Sequence, residues 1–421
     1  MIRKTKKGQI IMKKPELLAP AGSLSKLKIA CIYGADAVYV GYEDFSLRTA
    51  ADNFTVDELK EGVEFAHKLN KRVYLTSNII PHNDDIDQFE KFIKVIETIP
   101  FDGIIIADLG MFSLVHNALP NLPIHISTQA NNVNYATVSM WHSLGASRIV
   151  LARELSFAEI ADIRRRVPQD MQLEIFVHGA MCVSYSGRCL LSAYMAGRDA
   201  NKGACAHPCR WKYYLMEEKR PGEYMPVFEN EHGAFIYNSK DLCMIEHIKE
   251  LMLSGVDSFK IEGRVKTEYY VANVVKTYRQ EIDRYLDNPE KYQFDPSALD
   301  ELEKVSHRRY CTGFFLGKPD ENSQVYENSS YIRTYDVVGI VTDYDKTSKT
   351  VTLSQRNKFS VGDELEIIQP KGSFLTYTVR EMFDENGLSI NSAPHAAMTV
   401  KLPFDAELCK DAIFRKKRDT E

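Results

Sequence analysis

The feature that most restricts this chain is a repeated alternation. Short apolar, β-branched runs are followed by stretches whose apolar residues recur every three to four positions. The strand-like runs fall at 16–20, 37–41, 73–80, 103–107, 124–127, 148–152, 173–177 and 258–261. The intervening stretches, such as 56–69, 84–99 and 157–167, read as amphipathic helices. A strand that is apolar throughout is buried on both faces, and an intervening helix returns the chain for a parallel neighbour. Eight such units predict an α/β fold, a closed (β/α)8 TIM-like barrel over 15–287. No G-x-G-x-x-G follows the first strand, so a dinucleotide-binding sheet has no support.

The spacing breaks once. The seventh and eighth strands are separated by an insertion, 180–257, far longer than an ordinary connection. It leaves the barrel at the carboxyl end of a strand, where barrel active sites form. Within it, 212–228 reads as a Tyr-rich hairpin and 242–253 as a helix. Residues 288–335 read as a connector. From 336 the apolar period shortens to that of strands, with turn residues between them, and 336–410 is expected to form a small all-β barrel. The ends, 1–14 and 411–421, read as a basic flexible arm and a charged tail. The arm holds six Lys/Arg and no acid, and it lacks the apolar h-region of a signal peptide. No run of 18 uncharged apolar residues occurs. Together these point to a cytoplasmic protein with no membrane partner. The balance of 53 basic and 58 acidic residues, net −5, supplies no global field for nucleic acid.

Four of the eight cysteines, Cys182, Cys189, Cys205 and Cys209, lie in the insertion with the spacing C-x6-C-x15-C-x3-C. Thiolates are soft ligands, and four complete a tetrahedral zinc shell or the corners of a cubane [4Fe–4S] cluster. Only Cys205 to Cys209 resembles a zinc knuckle. From spacing alone both metals stay open, with buried free thiols as a third reading.

The residues around the cysteines carry a resemblance. Glu174-x-Phe176-x-x-Gly179-Ala180-Met181-Cys182-x4-Gly187-x-Cys189-x-Leu191-Ser192 is similar to the signature of the U32 peptidase family. Pro15–Ser23, the run Gly34-Ala35-Asp36-Ala37-Val38-Tyr39, Asn238–Cys243, Phe259–Arg264 and Arg309-Tyr310-x-Thr312-Gly313-Phe314 match as well, so the resemblance covers nearly the whole chain. It is strongest to the branch that modifies tRNA. It implies prephenate-dependent, oxygen-independent hydroxylation of uridine 34 to 5-hydroxyuridine, with an iron–sulfur cluster on the four cysteines. It also implies tRNA and prephenate as partners, and a second U32-family protein as a further one.

Hydroxylating a ring carbon without O2 requires redox chemistry that side chains do not supply. A dicarboxylate donor calls for Arg or Lys forks. Near strand ends these are Arg48, Arg153, Lys260 and Arg264, the last two on one face if 260, 262 and 264 alternate along a single strand. His178 is the candidate acid/base beside Cys182, and Glu174 lies within the same strand. Tyr185 and Tyr194, between cluster cysteines, are candidate stacking partners for a base. His125, Gln129, Glu154, Asn78 and Asp108 also fall at strand ends. The alternatives are a U32-type peptidase, for which only a Cys182–His178 dyad is available since H-E-x-x-H and G-x-S-x-G are absent, and an RNA-binding protein with a structural metal. Lys349, Arg356, Lys358 and Lys371 are the phosphate contacts that second alternative offers.

Overall fold

The computed structural model describes residues 14–42, 45, 54–181, 189–198, 200, 204–211, 240–317 and 331–418, with backbone at 2–4, 10–12, 229–230 and 233–234. Eight strands form the predicted barrel: β1 Glu16–Pro20, β2 Ala37–Gly41, β3 Arg72–Ser77, β4 Gly103–Ile106, β5 Ile124–Ile126, β6 Arg148–Val150, β7 Gln172–Ala180 and β8 Ser258–Ile261. Each pairs in parallel with the next, and β8 pairs with both β7 and β1, closing the ring. The crossover helices are α1 Leu24–Ile32, α2 Val56–Lys68, α3 Asn83–Ile96, α4 Leu109–Ala118, α5 Tyr135–Ser143, α6 Phe157–Arg166 and α7 Ile248–Leu253. α8 Glu268–Asp287 follows β8.

Local sequence starts these helices where the pattern predicts. Thr55 and Glu58 make a reciprocal capping box on α2, and Ser156 and Glu159 make another on α6. Asp108 is also a cap: its Oδ1 accepts the Met111 N–H at 2.9 Å. That duty explains a strand-end carboxylate without any chemistry. The main core lies between the outer strand faces (Leu17, Val38, Val73, Ile104, Ile149, Ile175, Phe259) and the helices (Leu27, Leu59, Phe89, Val115, Val274, Tyr278).

Close approach fixes one glycine. A Cβ on Gly22, just past β1, would lie 2.0 Å from the Arg264 carbonyl oxygen beyond β8. Backbone cannot swing aside as a side chain can. Gly22→Ala is expected to destabilise the barrel by about 1–3 kcal/mol, read as a lowered melting temperature; an unchanged melt would refute the contact.

The insertion departs from expectation. Asp241–Cys243, whose last two residues were expected to open a helix, is a strand pairing antiparallel with residues 178–180 of β7 and in parallel with Tyr310–Cys311. β7 extends above its last rung with β6, at Val150 and Glu174, and the projecting edge must be paired. Helix begins only at Ile248. The predicted hairpin 212–228 lies outside the described residues. At the N-terminus, Ile2–Lys4 pairs antiparallel with Ile10–Met12, so the arm contains a hairpin.

The C-terminal module comprises β9 Tyr335–Asp345, β10 Thr350–Gln355, β11 Glu364–Ile368, β12 Leu375–Thr378, β13 Thr399–Pro403 and β14 Ile413–Lys417. They form one antiparallel sheet in the order β12-β11-β14-β9-β10-β13 around a core of its own. The ends of this order do not pair, so the sheet is a half-barrel. β14 lies inside the stretch expected to be a charged tail. Its charge misleads because Arg415 is fully buried, donating to Glu301 Oε2 at 2.7 Å and to Glu366. Tyr33 on the barrel side donates to the Ile368 and Asp411 carbonyls, and Lys276 of α8 to those of Gln369 and Gly372. These bonds fasten the module to the barrel. No helix among the described residues is long and apolar enough to cross a membrane.

A candidate active site at the barrel mouth

The barrel interior is polar, where barrels of this class are usually filled with branched apolar side chains. Leu18, Ala37, Tyr39, Tyr74 and Ile105 form a small inner cluster. Beside it runs a ladder of alternating charge. Arg148 Nη1 donates to Glu16 Oε1 at 2.6 Å and to Glu174 Oε2 at 2.9 Å, and Lys260 Nζ donates to Glu174 Oε1 at 2.9 Å. The Tyr74 and Ser258 hydroxyls and the Arg72 guanidinium complete the shell of Glu16. Glu16, Arg148 and Ser258 open their strands, placing this end of the ladder at the amino-terminal face, the face associated with stability.

Glu174 therefore has both oxygens engaged. Burial alone would raise its pKa, but Lys260 and Arg148 outweigh burial and hold it below the ordinary carboxylate range. It is an ionised strut, with no proton to give. Lys260 also stands 4.5 Å over the Tyr39 ring. Glu16, Tyr74 and Arg148 escaped notice in the sequence. The available signal was a charge opening an otherwise apolar strand.

His178 points the other way. Strict alternation puts it on the face of Glu174 and Phe176. The β7–β8 register, however, jumps from Lys260↔Phe176 to Ile261↔His178, an extra residue that reverses facing beyond it. The imidazole packs among Tyr270 and Tyr278 of α8 and Tyr310, with Tyr278 Oη 3.5 Å from Nδ1. Burial, reinforced by Lys266 and His307, pushes its pKa down to about 3. It is neutral at pH 7 and turned away from the interior, and Cys182, its partner in the dyad a peptidase would use, lies outside the described residues. Burial also lowers the pKa of His125. The unfolded chain thus takes up protons below about pH 6.5 that the folded chain refuses. Stability is expected to fall as pH drops from about 6.5 towards 5, by up to about 1.4 kcal/mol per pH unit per histidine. His178→Phe should shallow the slope of melting temperature against pH in that window; an identical slope would exclude His178 as a contributor.

Cationic groups do meet at the upper rim. Arg153, just past β6, donates to the Ala180 carbonyl and stacks 3.9 Å from the Phe176 ring. Lys260 lies over the same Phe176 ring at 5.5 Å. Glu262 and Arg264 are buried after β8, Glu262 Oε2 accepts the Ala180 N–H at 3.3 Å, and the Glu262 N–H bonds the His178 carbonyl at 2.8 Å. β8 ends at Ile261 and Gly263 has φ +151°, so 260, 262 and 264 do not continue one strand face as the alternation predicts. Arg48, Tyr185 and Cys182 lie outside the described residues. Tyr194, on the short helix Leu191–Ala196, is 88% exposed.

Cys189, Cys205 and Cys209 are half-buried thiols. The Ala206 N–H bonds Ser192 Oγ at 2.9 Å, tying the Cys205–Cys209 turn to the helix that follows Cys189. The His207 N–H donates to Cys205 Sγ at 3.4 Å, and His207 takes the left-handed conformation. The donor set suits a soft metal, although among the described residues no three donors gather closely enough to hold one. Cys31 and Cys243 differ in kind: burial pushes both thiols up to about 12, leaving them inert.

A closed barrel whose inserted cysteine-bearing segment follows its seventh strand is thus the setting for the family signature. The sequence matches the model of peptidase family U32 over 22–325 and that of the family's C-terminal domain over 333–415, and the chain belongs to this family. It is 42% identical to tRNA hydroxylation protein P1 of Bacillus subtilis (97% of this chain, 96% of the relative) and 40% identical to tRNA hydroxylation protein P of Escherichia coli (94% and 95%). It is also 30% identical to the 23S rRNA 5-hydroxycytidine C2501 synthase of Escherichia coli, covering 84% of this chain and 53% of that one.

Proposed function

We propose that this protein carries out the prephenate-dependent hydroxylation of uridine 34 in tRNA to 5-hydroxyuridine without O2, with a [4Fe–4S] cluster on Cys182, Cys189, Cys205 and Cys209. The observation that carries the reading is end-to-end similarity to two proteins named for tRNA hydroxylation. A relative named for 5-hydroxycytidine in ribosomal RNA supports the same position on a pyrimidine ring. The cluster would supply the one-electron chemistry that side chains lack.

The chain's own residues bind and orient. Arg153 and Arg264 offer planar forks to a dicarboxylate at the upper rim. Glu174 and Arg148 hold Lys260 and the barrel interior rigid beneath it. The cationic rim and the cysteine segment both follow β6–β8, so donor and redox centre would share one side of the mouth.

Nucleoside analysis of tRNA tests the reading. In a strain lacking this gene and every other family member, 5-hydroxyuridine and its derivatives should vanish and return with the wild-type gene. Their persistence would refute it. Iron and acid-labile sulfide in anaerobically purified protein distinguish the cluster from zinc.

A further inference from the structure

Six buried polar atoms on β3, β5 and the loop that leaves β5 have no hydrogen-bond partner: Thr76 Oγ1 and Ser77 Oγ on β3, His125 Nδ1 on β5, and Gln129 Oε1, Asn131 Oδ1 and Asn132 Oδ1 in the loop. A buried carbonyl or hydroxyl without a partner is costly, and native proteins keep few. Their concentration in one place needs a reason.

Registers and bonds locate them. Thr76 is paired with Ile105 of the inner cluster, and Ile105 with His125, so all three face the interior. Above them Asn78 Nδ2 donates to Ser127 Oγ at 3.2 Å, joining the tops of β3 and β5. Asn132 is completely buried. Its Nδ2 donates to the Ser127 carbonyl and its own carbonyl accepts the Ala152 N–H, which fixes the loop against β6. Asn131 holds its place with φ +53°. The loop is thus rigid, and the orphaned atoms are built into it.

The chemistry of this half of the mouth is distinctive. Residues 76–80 and 127–132 contain no charged side chain, only hydroxyls, carboxamides and apolar groups. After the intervening β4, Asp108 is committed to capping α4; further ionisable residues follow other strands, Arg153 and Glu154 after β6 and Glu262 and Arg264 after β8. An anion would gain nothing at the neutral half. A flat, uncharged ligand with N–H donors and carbonyl acceptors along one edge would satisfy carboxamides, which offer both.

We infer that the ends of β3 and β5, through Thr76, Gln129, Asn131 and Asn132, form the pocket that reads the hydrogen-bonding edge of a flipped-out pyrimidine, opposite the cationic rim. This rests on the RNA-modifying function proposed above and assigns residues to its base specificity. A pyrimidine presents N3 and two flanking exocyclic groups, and reading that edge is how enzymes acting on an extruded base select it.

Binding of a tRNA anticodon stem-loop to the anaerobically purified protein tests the pocket. Three RNAs are compared, with uridine, cytidine or an abasic site at position 34. Wild type should prefer uridine. Gln129→Ala and Asn131→Ala should each weaken the uridine RNA about tenfold and leave the abasic RNA unchanged, with normal melting temperatures. Thr76→Val, nearly isosteric, should reproduce the loss should an alanine variant fold poorly. An equal loss for uridine and abasic RNAs, or no loss in any variant, overturns the pocket while sparing the function. No measurable binding of any stem-loop by wild type overturns both.

Discussion

Glu174→Ala is expected to destabilise the barrel by about 3–5 kcal/mol, the cost of stranding a buried charge whose partner has been removed. Two cations lose their shared acceptor at once. Arg148 keeps Glu16 at 2.6 Å and a bond to Gln172, but Lys260 keeps no carboxylate among the contacts described above. Its remaining neighbours, the Tyr39 and Phe176 rings at 4.5 and 5.5 Å, stabilise a cation only weakly. Glu174→Gln preserves shape and should cost less. The compensated double variant Glu174→Leu with Lys260→Met should recover most of the loss, since apolar replacement of a complete pair is often neutral. Urea unfolding followed by far-UV circular dichroism would measure this. A loss below about 1 kcal/mol for Glu174→Ala would mean the ladder is solvated and the interior description wrong.

The second large effect concerns the thiols, and it rests on the proposed cluster. Cys205→Ala should abolish 5-hydroxyuridine formation, with a fall of more than about a hundredfold, and should deplete bound iron. The barrel should melt almost as before, since Cys205 is half-exposed and its loop touches the fold chiefly through Ser192. Cys31→Ala should do the reverse. That thiol is buried on α1, so its loss costs roughly 1 kcal/mol of packing and leaves iron and activity intact. The two variants separate a ligand from a core filler. Full activity and normal iron in Cys205→Ala would end the four-thiolate assignment.

Residues legible in advance were those whose role is local. Thr55–Glu58 and Ser156–Glu159 declare helix starts by spacing alone. The apolar strands announced a barrel because only a core covered on both faces accepts them. The cysteine spacing offered a soft-ligand set, which stands as the proposal made above. Arg153 was identified from its place after β6, and the structure sets it on the upper rim against Phe176. Illegible residues were those whose role depends on a partner far along the chain. Arg415 reads as part of a solvated tail until Glu301 and Glu366 close on it from more than one hundred and about fifty residues away. Leu242 and Cys243 read as helix until the edge of β7 claims them.

The amino-acid pattern, taken alone, settled the kind of fold, the order of its units and the break in their spacing, because each follows from periodicity within a few turns of chain. Closing the ring decided the rest. One extra residue in β7 against β8 turned His178 out beneath α8, and eight strands converging from distant stretches put Glu16, Arg148, Glu174 and Lys260 within bonding distance. Which way a side chain faces, and which charges meet, are properties of register and closure, and no window of sequence contains them.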